Sequence, residues 1–174
     1  MNVREAKMNK EGERIAILPG SYDPITIGHV DLARRTSLLF DRVVIAVMQN
    51  KEKEYLFSKE MRLALAEASV KNIPNASVLL DEGLLVDLYD RLSACCVVKG
   101  IRNETDYEYE LKQEEWNRAH LSGFETVYLT ADEDLSDVSS TEVRRRILEG
   151  LDLSELLAPE AIGILSALKE ELQK

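Results

Sequence analysis

Five short apolar runs alternate with amphipathic stretches along this chain, and that alternation restricts the fold more than any single residue does. The runs occupy residues 14–18, 42–47, 76–80, 95–98 and 125–129, each rich in Val, Ile or Leu. Near-continuous apolar strands are buried on both faces, as in a parallel sheet. Helical patterns cover residues 30–40, 58–71, 84–92, 106–121, 139–149 and 159–172. Val30, Ala33, Ser37 and Leu38 lie near one face of the first. Met61, Ala64, Leu65 and Ala68 recur at helical spacing in the second, with Ser58 as candidate N-cap. Pro159 suits a first helical turn. The order predicts an α/β fold: a single doubly wound (Rossmann-like) domain, with a five-stranded parallel sheet, right-handed crossovers and C-terminal helices. Residues 1–13 lack apolar periodicity and read as a flexible extension, leaving 14–174 as the domain.

Ligands of such sheets bind beyond the carboxyl ends of the strands. The loops to search are therefore residues 19–28, 48–57, 81–83, 99–105 and 130–138. The first contains Gly20-Ser21-Tyr22-Asp23-Pro24-Ile25-Thr26-Ile27-Gly28-His29 and opens a helix. Glycines leave room for phosphate oxygens, and a helix start offers backbone N–H groups and a positive dipole end. The other loops carry Lys51 and Lys53, Lys99-Gly100-Ile101-Arg102, and Ser136-Asp137-Val138-Ser139-Ser140-Thr141. Taken singly, each has a simpler explanation. His29 and Ser139 could be caps, Lys51 and Lys53 a solvated loop, and Lys99 and Arg102 partners of Glu104 or Asp106. Their joint placement at one sheet edge favours an anion site.

The net charge of -10 argues against a nucleic-acid-coating protein, so any anion must meet local basic residues. No apolar stretch is long enough to span a bilayer. The polar, charged start does not read as a secretory signal. Cys95 and Cys96 are adjacent, which disfavours a mutual disulfide, and they sit in an apolar run as small core residues. A reducing cytoplasm is the expected location, with no nucleic-acid or membrane partner.

Thr26-Ile27-Gly28-His29 resembles the T/H-x-G-H motif of the nucleotidyltransferase superfamily. Val138-Ser139-Ser140-Thr141-Glu142-Val143-Arg144 resembles its I-S-S-T-x-x-R motif. Further segments are similar to the bacterial phosphopantetheine adenylyltransferase family: Pro19 to Thr26, Gly83-Leu84-Leu85-Val86-Asp87, Gly100-Ile101-Arg102, Asp106-Tyr107-Glu108-Tyr109-Glu110 and Asn117-Arg118. The resemblance implies adenylyl transfer from ATP to 4′-phosphopantetheine, giving dephospho-coenzyme A and pyrophosphate. It implies Mg²⁺ with the ATP, no dedicated protein metal ligands, a homohexamer, and coenzyme A as a feedback ligand.

Roles follow by resemblance. His29, Lys53 and Arg102 would be catalytic, His29 as a hydrogen-bond donor to the ATP phosphates and Arg102 on the outer phosphates. Ser21 would bind phosphate where the two substrates meet, and the Tyr22 backbone would help seat ATP. Lys53 and Lys99 would serve the acceptor phosphate, and Leu85 the pantetheine arm. Gly100, Ile101, Glu110, Leu135, Ser136, Asp137, Val138, Ser139, Ser140 and Thr141 would complete the nucleotide pocket. Lys99 stands where the family has Arg, keeping the charge but losing the bidentate fork. The loop Asn50-Lys51-Glu52-Lys53-Glu54-Tyr55 lacks the family's P-S-K-K-P pattern. Asp137 replaces an aromatic or apolar residue, and beside ATP phosphates it would repel them unless it points away or meets Mg²⁺. Two other readings stay open on the sequence: a small nucleotidyltransferase using CTP or another phosphorylated acceptor, and a nucleotide- or coenzyme-A-binding regulator without turnover.

Overall fold

The computed structural model describes residues 12–50 and 53–172. Lys51 and residues 1–11 of the expected extension lie outside the described residues. Five parallel strands form one sheet: β1 (Ile15–Gly20), β2 (Arg42–Met48), β3 (Ala76–Asp81), β4 (Cys96–Ile101) and β5 (Thr126–Thr130). The helices are α1 (Ile27–Ser37), α2 (Lys59–Val70), α3 (Leu85–Arg91), α4 (Glu104–His120), α5 (Ser140–Glu149) and α6 (Pro159–Leu172). Strand order is β3-β2-β1-β4-β5. The chain builds outward from β1 to β3, then returns to the other side of β1. The order therefore reverses between β1 and β4, which opens a crevice at their carboxyl ends.

Burial on both faces explains the sheet. Residues Val43 to Val47 of β2 are no more than 1% exposed. Side chains alternate between faces along each strand. Ala16, Leu18, Val43, Ile45 and Val47 share one core with Ala33 of α1, Leu65, Ala66 and Val70 of α2 and Ala161 of α6. Ile15, Ile17, Val44, Ala46 and Val97 share the other with Val86, Leu88 and Tyr89 of α3 and with Phe124. Each buried Val, Leu, Ile or Phe side chain among these contributes roughly 1.5–3 kcal/mol. Val143, Leu156 and Leu157 form a smaller cluster under α5.

Local signals account for the ends of several elements. Ser58 caps α2, its side chain accepting from the Met61 N–H at 3.2 Å. Asn103 caps α4 by accepting from the Asp106 N–H, which starts that helix two residues before the expected 106. Thr26 caps α1, so this helix begins at Ile27 and stops at Ser37. Leu38 thus falls outside the helix and is 77% exposed, while Ala33 and Thr36 are its buried residues. The α2 stripe is also displaced: Arg62, Leu65, Ala66, Ser69 and Val70 are buried, and Ala64 and Ala68 only partly so. Strand β4 runs on through Lys99, Gly100 and Ile101, which the sequence assigns to a loop. Pairing of these three with Tyr128, Leu129 and Thr130 of β5 extends it. Cys96 is buried, Cys95 partly so, and both are free thiols. Among the described residues, no helix is long and apolar enough to cross a membrane.

Candidate active site

A cleft of about 820 Å³ opens at the carboxyl edge of the sheet. Ser21, Tyr22, His29, Lys53, Leu85, Lys99, Gly100, Arg102, Glu110, Leu135, Val138, Ser139, Ser140 and Thr141 all line it. Three expected residues do not: Ile101, Ser136 and Asp137. Asp137 instead lines a neighbouring depression with Asp134, Glu142, Arg146 and Glu155. That depression adjoins the cleft through Val138, Ser139 and Thr141, and Asp137 is not among the cleft's own lining residues.

The loop after β1 is folded tightly. Tyr22 has a positive φ of 49°, and its buried ring turns back beneath Gly20. A methyl group at Gly20 would come within 2.9 Å of that ring, so glycine is required there. The Tyr22 hydroxyl donates to the Leu18 carbonyl at 2.8 Å, and burial pushes its ionisation up. The ring edge meets His29, centroid to centroid at 5.1 Å.

These contacts define His29 chemically. The Thr26 backbone N–H donates to His29 Nδ1 at 3.0 Å, and Thr26 Oγ1 lies 2.9 Å from the same nitrogen. A backbone N–H can only donate, so Nδ1 accepts and the proton of the neutral ring sits on Nε2. Burial, and then the charge of Arg102, lower the His29 pKa to about 4. At neutral pH the imidazole is thus an uncharged donor through Nε2, suited to hydrogen bonding a phosphate oxygen.

Lys99, Arg102 and Arg35 on the cleft wall are each paired with a carboxylate. Lys99 Nζ lies 2.9 Å from Glu110, both side chains less than one-fifth exposed. Lys99 therefore pairs with Glu110, not with Glu104 or Asp106. Arg102 Nε lies 2.8 Å from Asp106, the pairing that the sequence allowed. Arg35 donates to the Thr130 carbonyl at 2.7 Å and sits 3.4 Å from Asp31. An anionic ligand entering here exchanges one acceptor for another on cations already in place. Preorganised cations of this kind need little rearrangement as charge develops.

The loop before α5 closes the cleft. Ser139 Oγ caps α5, accepting from the Glu142 N–H at 3.1 Å. Ser140 Oγ donates to the Pro24 carbonyl at 2.8 Å, and Arg144 donates to the Asp23 carbonyl at 2.7 Å. The Ser140 proton is thus committed to joining the two loops. Ser139 keeps its own O–H as a donor, and Thr141 Oγ1 accepts from Arg144 at 3.1 Å. Gly100 permits a close approach from the other side, where a methyl group would sit 3.3 Å from Leu32 of α1.

Residues 17–146 match the family model described as cytidylyltransferase-like. The chain is 41% identical over 162 residues to phosphopantetheine adenylyltransferase of Staphylococcus carnosus, covering 93% of this chain and 99% of that one. It is 39% identical over 160 residues to the same-named protein of Thermotoga neapolitana, covering 92% and 98%. The chain belongs to the phosphopantetheine adenylyltransferase family. A solved structure from Vibrio parahaemolyticus, provisionally named nicotinate-nucleotide adenylyltransferase, superposes with a TM-score of 0.66 at 17% identity, covering 89% of this chain and 93% of that one. That likeness concerns the fold.

In this phosphopantetheine adenylyltransferase family member, sequence reasoning missed three supporting residues. Asp23, 3% exposed, accepts from the Leu56 and Phe57 N–H groups at 2.8 and 2.9 Å. It ties the loop after β2 to the loop after β1. Arg62, 1% exposed, donates to the carbonyls of Ser21 and Met48. Tyr55 stacks on the Arg62 guanidinium at 4.1 Å. Arg62 left a legible signal, because a charged residue sits three and four positions before Leu65 and Ala66 on an apolar stripe. Asp23 and Tyr55 left none, since their partners depend on how the loops pack.

Proposed function

We propose that this protein transfers the adenylyl group of ATP to 4′-phosphopantetheine, producing dephospho-coenzyme A and pyrophosphate. The observation that carries this reading is the convergence of His29, Lys53, Lys99, Arg102 and the Ser139–Thr141 segment on one cleft, in a chain of this family. The acceptor phosphate oxygen attacks the α-phosphorus of ATP. The new P–O bond forms as the bond to the β-phosphate bridging oxygen breaks, and pyrophosphate leaves. No protein nucleophile is required. His29 Nε2–H donates to the phosphate oxygens that gain charge. Ser21 binds phosphate where the substrates meet, with the Tyr22 backbone and Gly100 seating ATP. Arg102 takes the outer phosphates, Lys53 and Lys99 hold the acceptor phosphate, and Leu85 contacts the pantetheine arm. Glu110, Leu135, Val138, Ser139, Ser140 and Thr141 form the rest of the nucleotide wall. Catalysis comes from alignment and charge neutralisation.

Mg²⁺ enters this scheme with ATP as part of the substrate. Among the described residues no cluster of three or more His, Cys, Asp or Glu side chains could hold a metal. Three of the cleft carboxylates, Asp31, Asp106 and Glu110, are each engaged by a cation. Mg²⁺ commonly keeps its waters and binds through substrate phosphates, which this donor set suits. We also infer a cytoplasmic homohexamer that binds coenzyme A as a feedback ligand, from the family resemblance.

Purified protein incubated with Mg²⁺, 4′-phosphopantetheine and either ATP or CTP tests the reading through pyrophosphate release. Release with ATP is the expected result. Release with CTP alone, or nucleotide binding without turnover, overturns it.

A further inference from the structure

We propose that Tyr55 is a positioning residue that sets Lys53 for the acceptor phosphate; this rests on the functional reading above. One end of the device is the buried Arg62. Its guanidinium donates to the Ser21 and Met48 carbonyls, but Nε has no hydrogen-bond partner. The Tyr55 ring covers the guanidinium at 4.1 Å. A ring face is the available compensation for a buried cation with an unmet donor.

The other end is the Tyr55 hydroxyl. It accepts from the Asn50 N–H at 2.6 Å and lies within 3.2 Å of the Asn50 carbonyl, to which it donates. That carbonyl also accepts from the Lys53 N–H at 3.1 Å. A connected path therefore runs from Ser21 through Arg62, Tyr55 and Asn50 to the Lys53 backbone. Just beyond Tyr55, the Leu56 and Phe57 N–H groups are fixed on Asp23. Lys53 is thereby set in register with Ser21, and both line the cleft.

The device serves one substrate. Lys53 is exposed, and a lysine loses much freedom when it grips a phosphate. Ordering its backbone beforehand reduces the cost at the moment of binding. His29 and Arg102, on the ATP side, depend on α1 and β4, and neither bonds to Tyr55. Tyr55 occupies the final position of the segment that departs from the family's P-S-K-K-P pattern. A side-chain clasp here performs the restraint that a proline would otherwise impose on the backbone.

Steady-state kinetics of Tyr55→Phe and Tyr55→Leu, varying each substrate in turn, test the inference. Tyr55→Phe keeps the ring on Arg62 and loses the bonds to Asn50. Its KM for 4′-phosphopantetheine should rise roughly 3- to 10-fold, the effect of one or two hydrogen bonds. Its kcat and its KM for ATP should stay within about twofold. Tyr55→Leu, which also uncovers Arg62, should raise the acceptor KM further. A purely structural role would lower kcat through loss of active protein and leave both KM values alone. An unchanged acceptor KM in Tyr55→Phe, or a parallel rise in the ATP KM, overturns the inference alone. If Tyr55→Leu does not fold, Tyr55→Phe still decides. Wild-type protein that fails to turn over overturns the functional reading and this inference with it.

Discussion

Between roughly pH 7.5 and about pH 5, the wild-type protein should lose stability faster than a His29→Gln variant. Burial and the Arg102 charge lower the pKa of folded His29 to about 4, from 6.5. Over that interval the unfolded chain binds a proton that the folded chain resists. The contribution of His29 is therefore fully present above 6.5 and falls as pH drops towards 4. The linkage relation gives a loss of about 2 kcal/mol at about pH 5. Glutamine does not titrate, so the variant lacks this loss. With a urea slope of about 2 kcal/mol/M, the wild-type midpoint should move down by about 1 M more than the variant's. The buffer must be free of phosphate, because an anion in the cleft would favour the imidazolium. NMR titration of the His29 Cε1–H gives a direct check, with His120→Gln used to assign the signal. Parallel pH slopes in the two proteins, or an NMR midpoint near the ordinary value for histidine, would refute the assignment of a neutral, Nε2-protonated ring.

His29→Ala should reduce pyrophosphate release by roughly 10²- to 10³-fold, the usual effect of losing one transition-state donor. Its melting temperature at neutral pH should stay within a few degrees, and wild-type turnover in the folded variant would remove the donor role. Lys99→Met strands Glu110 in a partly buried site and should cost about 1–3 kcal/mol in urea, while Lys99→Arg retains the pair and most activity. Asp23→Ala leaves the Leu56 and Phe57 N–H groups without their acceptor, so chemical denaturation should show a loss of about 2–4 kcal/mol. A loss below about 0.5 kcal/mol would show that water or a neighbouring carbonyl replaces Asp23.

Much of the site follows from the alternation of strands and helices. Once β1, β2, β4 and β5 are recognised, their following loops must gather at one sheet edge, and His29, Lys53, Arg102 and Ser139 do share a cleft. The Ser58 cap of α2 was equally legible, because a cap is a contact within one turn. The absence of Asp137 from the cleft lining was not, nor was the Lys99–Glu110 pair in place of a bond to Glu104 or Asp106. Both depend on the angle at which a neighbouring element arrives.

By itself, the sequence determined the fold class, the parallel sheet and the edge at which a ligand could bind. Period-2 and period-3.6 patterns are local, and two-sided burial of a Val-rich strand has few solutions. Tertiary structure alone decided the order β3-β2-β1-β4-β5, the extension of β4 through Lys99 to Ile101, and the support beneath the loops. Asp23 meets Leu56 thirty-three residues away, and Arg144 meets Asp23 across 121. Such contacts form only when packing of the two cores brings distant backbone together, and no short-range pattern encodes that distance.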